Sequence, residues 1–242
     1  MEIISSQKEL SNREKFQFLY AECPISINEL MYNMGLFITR QNMMRIFFMN
    51  EIYQKILGVH GSIIEGGIRW GQNMALYTTF RGIYEPYNYN RKIIGFDTFN
   101  SFVDIDEKDG EHSLDEMELT PDYDKYLDKL LTCHEEFSPI SQIQKYEIVK
   151  GDACETLPKY LLEHPETVIA LIMLDYDVYK PTKVTLEAIK PHLTKGSIII
   201  LDEVNHVDWK GETLSLQESF GTTNIKLQHS KYSPNASYFI VE

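Results

Sequence analysis

Two apolar runs that end in carboxylates constrain the fold of this chain more than any other feature. The runs extend from Val168 to Leu174 and from Ser197 to Leu201, and both are rich in Ile and Leu without alternation. Such runs are typical of strands that are buried on both faces of a parallel sheet. Four carboxylates follow them: Asp175, Asp177, Asp202 and Glu203. Because ligands bind beyond the carboxyl ends of parallel strands, we expect these side chains to converge at one edge of the sheet.

Helical and strand patterns alternate along most of the chain, which predicts an α/β fold with right-handed crossovers. Besides the two apolar runs, strands are predicted at Ser62–Glu65, Lys92–Phe96 and Tyr146–Lys150. Helices are predicted at Asn73–Tyr84, Tyr123–Cys133, Cys154–Leu162 and Lys183–His192. The segments Ile225–His229 and Ser237–Val241 are separated by a connection too short for a parallel crossover, so they predict an antiparallel hairpin. The expected sheet has seven strands and is mostly parallel.

The amino-terminal part is predicted to be helical and to precede the sheet. We place a helical cap or interface segment at residues 1–58 and the main domain at 59–242, with an acidic insertion at about 101–144. Apolar residues recur at helical spacing at Ile27, Leu30, Met31, Met34 and Ile38, and Met43–Leu57 continues the pattern. A core-facing helix is the simplest interpretation. There are two alternatives: the helices cover the sheet edge, or they form a homo-oligomer.

Charge and hydropathy exclude several classes of partner. The formal net charge is -13, which disfavours binding to nucleic acid or to anionic membranes. No apolar run is long enough to span a bilayer, and the amino terminus lacks the apolar region of a signal peptide, so we expect a cytoplasmic protein. The segment Val103–Asp124 contains ten carboxylates and one lysine. A solvated, mobile surface is the expected role of such a run, with ligand binding as the alternative.

The loop after the first predicted strand has the composition of a cofactor loop. Glycines let the backbone turn sharply and approach a ligand closely. A cofactor with a cationic amino-acid tail, such as S-adenosylmethionine (SAM), also suits the acidic residue that opens the loop. The loop residues assigned to the cofactor are Glu65, Gly66, Gly67, Arg69, Gly71 and Asn73, with Arg69 as a candidate for the methionine carboxylate. Asp97, followed by Thr98, ends the second strand at the position that holds ribose hydroxyls in this fold class.

Two further carboxylates are assigned to the cofactor. Asp175 lies at the same sheet edge as the glycine loop. Asp152 follows the third strand, where it can bond the adenine amine or stand as an exposed loop carboxylate. Together, the glycine-rich turn, the acidic end of the second strand and the topology favour SAM as the cofactor.

Five segments of the chain resemble the macrocin O-methyltransferase family in order and spacing. They are Glu65–Gly71, Gly95–Phe99, Lys150–Pro158, Leu174–Thr182 and Leu201–Glu203. The resemblance extends from about Ser62 to the carboxyl terminus, and the Asp-x-Asp-x-Tyr-x-x-Thr element is its most specific part. It implies a class I Rossmann-like methyltransferase that uses SAM and magnesium to methylate hydroxyls of sugars in natural products. This chain departs from the family in having Asp202-Glu203 where two aspartates are common.

The acidic strand ends fit the chemistry of such a reaction. Mg²⁺ prefers oxygen ligands and keeps positions open for substrate oxygens, and it lowers the pKa of a bound hydroxyl. We assign Asp175, Asp202 and Glu203 to the metal and Asp177 to the general base. An alternative makes Asp177 a third ligand and gives the proton to His206, since imidazole suits proton transfer at neutral pH. His206 as an ordinary surface histidine also remains open.

The sequence therefore predicts a SAM- and Mg²⁺-dependent O-methyltransferase of a small hydroxylated acceptor, a sugar or a sugar-bearing natural product. Two alternatives are a metal-independent methyltransferase and a SAM-binding or scaffold protein without catalysis. The Glu203 substitution is the main argument for the last of these.

Overall fold

The fold is a seven-stranded sheet with helices on both faces, as the sequence predicts. The structure is a computed structural model that describes residues 5–100, 106–109 and 120–242. The strands are β1 (Ser62–Gly66), β2 (Ile93–Asp97), β3 (Tyr146–Lys150), β4 (Ile169–Leu174), β5 (Leu193–Leu201), β6 (Gln228–Ser230) and β7 (Ser233–Ile240). Their order in the sheet is β3-β2-β1-β4-β5-β7-β6. Strands β1 to β5 are parallel, and β7 is antiparallel to both β5 and β6.

The crossover helices flank this sheet. They are α4 (Gln72–Tyr84), α5 (Tyr123–Glu136), α6 (Ala153–Glu163), α7 (Tyr179–Ile189) and α8 (Lys210–Ser219). They follow the amino-terminal helices α1 (Gln7–Ala21), α2 (Ile27–Tyr32) and α3 (Arg40–Lys55). The sequence predicts the first four of these within a few residues, whereas α8 was not predicted. None of the helices in the described parts of the chain is long and apolar enough to cross a membrane.

Strand β4 shows why a run without alternation is favoured at the centre of the sheet. All six of its residues are buried. Leu171 and Met173 belong to the core on one face, whereas Ile172 and Leu174 belong to the core on the other. Because side chains of a strand point alternately to opposite faces, both faces of β4 must be apolar.

The amino-terminal helices differ from the predicted arrangement. Helix α1 (Gln7–Ala21) begins with a capping box between Ser6 and Glu9, and α2 (Ile27–Tyr32) ends before a short 3-10 turn. The predicted helical stripe is therefore interrupted. Ile27 and Met31 are 75% and 68% exposed, so the expectation that this stripe faces a core is wrong.

Helix α3 (Arg40–Lys55) crosses the boundary between two compact units. Residues up to Arg45 form one unit, and Ile46–Glu242 form the other. The second half of α3 belongs to the larger unit, where Met49, Ile52 and Tyr53 are buried in one of its two cores.

The carboxyl-terminal hairpin is shifted relative to its prediction but has the expected antiparallel pairing. Its first strand has only three residues, and its second begins at Ser233. Ser237 pairs with Leu201, the last residue of β5. The turn of the hairpin therefore lies beyond the carboxyl end of β5.

A buried ionic network ties α4 and α5 to the edge of the sheet. Glu135 on α5 is paired with Arg81 on α4, and its other oxygen lies 2.7 Å from Lys145 Nζ just before β3. Arg81 also donates to the backbone oxygen of Lys145 at 2.8 Å. All three side chains are buried. Loss of the carboxylate would leave two cations facing each other without water, which is strongly unfavourable.

Glu135→Ala is expected to reduce the free energy of unfolding by about 3–5 kcal/mol, the cost of breaking a buried ion pair from one side. Glu136→Ala is the matched control, because Glu136 follows it on the same helix but is exposed. Urea denaturation of both variants and the parent measures the difference. Equal stability of the two variants would contradict a structural role for the network.

Candidate active site

The structure brings three of the predicted carboxylates together at the carboxyl ends of β4 and β5. Asp175 follows β4 and Asp202 follows β5, and the last residues of the two strands are paired. Oxygen atoms of Asp175, Asp177 and Asp202 all lie within 4.8 Å of one another. Adjacent parallel strands therefore create the convergence that the sequence predicts for these three residues.

Asp177 joins this group through an unusual backbone conformation. Its φ of 62° lies in the left-handed region, which is uncommon for residues other than glycine. The preceding Tyr176 is buried, and Val178 after it is buried as well. The packing of these two neighbours holds the loop in a conformation that would otherwise be unfavourable.

Glu203, which was assigned to the metal, lies beside the group rather than within it. Its side-chain Oε2 is 3.9 Å from Nε2 of His206. Its backbone N–H donates to Oε2 of Glu212 at 3.0 Å. The third carboxylate beside Asp175 and Asp202 is thus Asp177 in this structure, because its left-handed backbone reaches the site whereas Glu203 faces the histidine.

Glu212 is a site residue that the sequence analysis missed. It lies in the first turn of α8 and is fully buried. Its charge acts on both Asp202 and Asp175 through their proximity. The signal that could have revealed it is helical spacing, since Ser215 and Leu216 lie three and four residues later and are also buried.

Crowding and burial make the charged state of these groups unfavourable. Burial, reinforced by the charges of Asp175 and Glu203, raises the pKa of Asp177 to about 7, against the opposing charge of Arg69. Burial likewise raises the pKa of Asp202 well above its usual range, with further contributions from Asp175 and Glu212. The pKa of Glu212 is also raised by burial.

The residues present fit a divalent cation. Within the described parts of the chain, Asp202 Oδ1 and Glu212 Oε1 are buried without a hydrogen-bond partner. A buried carboxylate oxygen without a donor is costly, and hard cations such as Mg²⁺ prefer such oxygen ligands. A cation near Asp202 would satisfy its unpaired oxygen and offset the repulsion among its neighbours.

The glycine loop after β1 lies directly against this acidic group. Gly67 has a φ of 81°, and a Cβ there would overlap the carbonyl oxygen of Asp175. Gly71 has a φ of 74°, and a Cβ there would collide with Leu127. Glu65 is buried, and its Oε1 accepts from Asn73 Nδ2 at 2.9 Å. Glycine is therefore required both by backbone conformation and by space.

Asp97 lies at the end of β2 and holds the glycine loop. Its Oδ2 accepts from the backbone N–H of Arg69 at 2.8 Å, and its Oδ1 accepts from that of Phe99 at 2.6 Å. The hydroxyl of Thr98 forms a local turn with Asn100. The side chain of Arg69 is exposed.

Asp152 lies at the end of the neighbouring strand and caps α6. Its Oδ1 accepts from the backbone N–H of Cys154 at 2.8 Å. The side chain is half-buried rather than an exposed loop carboxylate. Its second oxygen is the one that a cofactor could engage while the cap stays in place.

His206 has a defined orientation beside Glu203. Its Nδ1 accepts from the backbone N–H groups of Asp208 and Trp209 at 3.2 and 3.4 Å. A neutral ring with this pattern carries its proton on Nε2, the nitrogen that faces Glu203. The lone pair needed by a general base is therefore engaged by the backbone.

The described part of the acidic insertion is not simply a solvated surface. Asp109 is fully buried, and its Oδ1 accepts from the backbone N–H of Tyr179 at 2.6 Å. Lys108 Nζ forms an exposed ion pair with Glu218 at 2.8 Å. The expectation of a solvated segment is therefore wrong for residues 106–109. Residues 103–105 and 110–119 of the acidic run lie outside the described residues.

Comparison with known proteins places this chain in an established family. The profile described as Macrocin-O-methyltransferase (TylF) matches residues 37–219. A crystal structure of CalS11, described as a calicheamicin methyltransferase, is 36% identical with a TM-score of 0.94, over 98% of this chain and 94% of that one. An apo structure of CalS11, described as a TDP-rhamnose 3'-O-methyltransferase, is 35% identical with a TM-score of 0.87, over 98% and 96%.

More distant similarity supports the fold alone. The O-methyltransferase NovP is 15% identical with a TM-score of 0.62, over 82% of this chain and 79% of that one. Comparison with curated protein sequences gave no match. The sheet order and the glycine loop define a Rossmann-like methyltransferase. The chain belongs to the macrocin O-methyltransferase family, as its motifs indicate, and is an O-methyltransferase.

The raised pKa values predict how the metal-free protein responds to pH. A carboxyl whose folded-state pKa lies above its unfolded value stabilises the fold at low pH, and this contribution is lost as pH rises through the folded pKa. Because the pKa of Asp177 is raised from 3.8 to about 7, we expect the stability of the parent to fall between about pH 4 and 7 in EDTA. Asp202→Asn removes one repelling charge and is expected to be more stable than the parent at pH 8.

Thermal unfolding in EDTA from pH 4 to 8 tests the expectation, with Asp208→Asn as an exposed control. A parent whose stability is constant from pH 4 to 7, or an Asp202→Asn protein less stable than the parent at pH 8, would contradict the electrostatic description of the site.

Proposed function

We propose that the chain transfers the methyl group of SAM to a hydroxyl of a sugar, with Mg²⁺ bound at the acidic strand ends. The observation that carries the proposal is the contact between the candidate SAM loop and the acidic group. Gly67 in the candidate SAM loop packs against the backbone of Asp175, whose side chain belongs to the acidic group. A methyl donor in the loop and a hydroxyl at the carboxylates would therefore be neighbours, as in-line transfer requires.

The proposed SAM site is built on the ends of β1 to β4. Gly66, Gly67 and Gly71 form the proposed cofactor loop, with positive φ at Gly67 and Gly71, and Arg69 is exposed beside them, where it can meet the methionine carboxylate. Asp97 is held by two backbone N–H groups and still has acceptor capacity for ribose hydroxyls. The other residues in the proposed site are Glu65, Asn73, Thr98, Asp152 and Asp175.

Asp175 and Asp202 are the proposed centre of the metal site. They belong both to the ligand set predicted from sequence and to the group that the structure brings together. Glu203 follows Asp202 directly and lies beside the group. Its Oε2 is buried without a hydrogen-bond partner among the described residues, and its carboxylate is the proposed third ligand. The unpaired oxygen of Asp202 supports this assignment because a cation would supply its missing partner.

Asp177 is the proposed general base. When bound, SAM supplies an electrophilic methyl group and Mg²⁺ supplies a Lewis acid that makes the acceptor hydroxyl more acidic. A base must lie beside the ligands that hold this hydroxyl, and Asp177 lies within 4.8 Å of Asp175 and Asp202. Its carboxylate would accept the hydroxyl proton. His206 is less suited because its Nδ1 lone pair faces backbone N–H groups.

The proposed acceptor is a sugar with neighbouring hydroxyls, free or linked to a nucleotide. The similarity to CalS11, described as acting on TDP-rhamnose, supports a deoxysugar nucleotide as the first candidate. Mass spectrometry of a panel of nucleoside-diphosphate sugars and glycosides, incubated with SAM in the presence of Mg²⁺ or EDTA, tests this directly. Addition of a methyl group only with Mg²⁺ supports the proposal, and no methylation of any sugar would count against it.

Asp97→Ala is expected to weaken SAM binding by about 2–4 kcal/mol, since charged hydrogen bonds to the ribose would be lost. Calorimetric titration of SAM into parent and variant measures the change. Glu155→Ala is the control, because Glu155 is exposed on α6 near the same edge. Unchanged affinity in Asp97→Ala would show that the ribose is held elsewhere.

Variants of Asp175 and Asp177 are expected to fail in different ways. Asp175→Ala should weaken Mg²⁺ binding and abolish metal-dependent turnover. Asp177→Asn keeps an oxygen atom, so SAM and Mg²⁺ should still bind while turnover falls by about 10²–10⁴-fold, the usual contribution of a general base. Raising the pH should partly restore its rate, because the hydroxyl then ionises with less help.

Calorimetric Mg²⁺ binding and initial rates against pH separate these outcomes, with His206→Gln as a third variant. Loss of Mg²⁺ binding in Asp177→Asn would make Asp177 the third ligand in place of Glu203. A loss of turnover on that scale in His206→Gln alone would assign the base to the histidine. Full activity in excess EDTA would remove the metal from the mechanism.

A further inference from the structure

A buried aspartate from the acidic insertion contacts the loop that carries Asp177. Asp109 is fully buried, although it belongs to the most acidic stretch of the chain. Its Oδ1 accepts from the backbone N–H of Tyr179, and its Oδ2 accepts from that of Asp106 at 2.9 Å. Burying a carboxylate is costly, so this contact must be specific to keep the segment in place.

Asp109 acts as the amino-terminal cap of α7 from a distant part of the sequence. The residue at the cap position of α7 is Val178, which makes no side-chain capping bond. The first N–H groups of a helix lack partners within the helix and attract negative charge. The carboxylate of Asp109 meets both needs at Tyr179, the first residue of α7.

The start of α7 determines where Asp177 can lie. Only Val178 separates Asp177 from Tyr179, and Asp177 has the unfavourable φ of 62°. The other end of this loop is fixed, because the backbone N–H of Asp175 donates to the carbonyl oxygen of Gly66 at 2.9 Å. A loop fixed at both ends can hold a strained residue that a free loop would release.

A neighbouring contact anchors the same segment without touching the backbone of the loop. Lys108 Nζ bonds to Glu218 on α8 and lies 3.9 Å from the centre of the Tyr179 ring. The Lys108 side chain is 40% exposed. Removal of Lys108 therefore loosens the segment while leaving the α7 cap in place, which makes it a matched control for Asp109.

Gly211 on α8 provides the space for Asp109. A Cβ at Gly211 would overlap Oδ1 of Asp109 and would also crowd the backbone nitrogen of Tyr179. Alanine ordinarily favours a helix over glycine. Any harm caused by Gly211→Ala would thus come from crowding of Asp109 and of the start of α7 rather than from a lower helix propensity.

We propose that Asp109 is a positioning residue for the O-methyltransferase reaction: by capping α7 it holds Asp177 in the conformation that places its carboxylate beside Asp175 and Asp202. The catalytic part of this inference rests on the proposed function, in which Asp177 is the general base. The positioning itself depends on neither cofactor nor metal.

The experiment compares Asp109→Ala, Asp109→Asn, Gly211→Ala and Lys108→Met with the parent. Hydrogen exchange of the peptide spanning residues 175–180, measured by mass spectrometry without SAM or Mg²⁺, reports the positioning. We expect exchange to rise by about five- to tenfold in Asp109→Ala and Gly211→Ala, as for the loss of a helix cap. Asp109→Asn retains one acceptor and should fall between Asp109→Ala and the parent. Lys108→Met should resemble the parent.

Turnover on an acceptor found in the panel reports the catalytic consequence. We expect kcat to fall by about 10–100-fold in Asp109→Ala and Gly211→Ala, the range seen when a supporting contact of a site residue is lost. The KM for SAM should stay within about twofold, because the hydrogen bonds described for Asp109 connect it to Tyr179 and Asp106 rather than to the proposed SAM residues. Thermal unfolding checks that each variant is folded.

Unchanged exchange in Asp109→Ala, or equal effects of Lys108→Met and Asp109→Ala, would overturn the proposal. Raised exchange with unchanged kcat would overturn its catalytic part. Failure of the proposed function has a separate signature, which is the absence of SAM-dependent methyl transfer by the parent. The exchange measurements remain decisive for Asp109 in that case, since they need no substrate.

Discussion

Repulsion among partly buried carboxylates is the constraint on which this site depends. Asp175, Asp177 and Asp202 have oxygen atoms within 4.8 Å of one another, and the buried Glu212 lies behind them. Buried like charges are costly unless protons or a cation neutralise them. The fold places these carboxylates at the carboxyl ends of two central strands, next to a glycine loop that contacts the backbone of Asp175. An O-methyltransferase that activates a hydroxyl with a cation would use the same arrangement.

The sheet and the convergence of its strand ends could be predicted because they follow from local pattern. A fully apolar β4 is stable only with both faces covered, which indicates a parallel sheet with helices on each side. The carboxylates that follow β4 and β5 are then brought together by topology. The proximity of Asp175 and Asp202 can be predicted without knowledge of side-chain packing, since it is determined by the register of the neighbouring strands.

Other parts of the site depend on tertiary contacts that leave little trace in sequence. Helix α8 has no side-chain cap at its start, so both the helix and its buried Glu212 were missed. Asp109 lies among many acidic residues, and composition alone indicates solvent exposure for all of them. Asp109 is buried because its carboxylate accepts from the first N–H of α7 and because Gly211 leaves space for it. Which of Asp177 and Glu203 lies beside Asp175 and Asp202 likewise depends on one backbone conformation, the φ of 62° at Asp177.

The most direct test of the central claim is anomalous diffraction from crystals grown with Mn²⁺, a substitute for Mg²⁺, and S-adenosylhomocysteine. We expect one anomalous peak at the ends of β4 and β5, about 2.1 Å from carboxylate oxygens of Asp175 and Asp202, as for a small divalent cation. S-adenosylhomocysteine should lie in the loop at Gly67 with its sulfur facing that peak. A map without a peak at these carboxylates, from crystals that contain S-adenosylhomocysteine and ample Mn²⁺, would contradict the account.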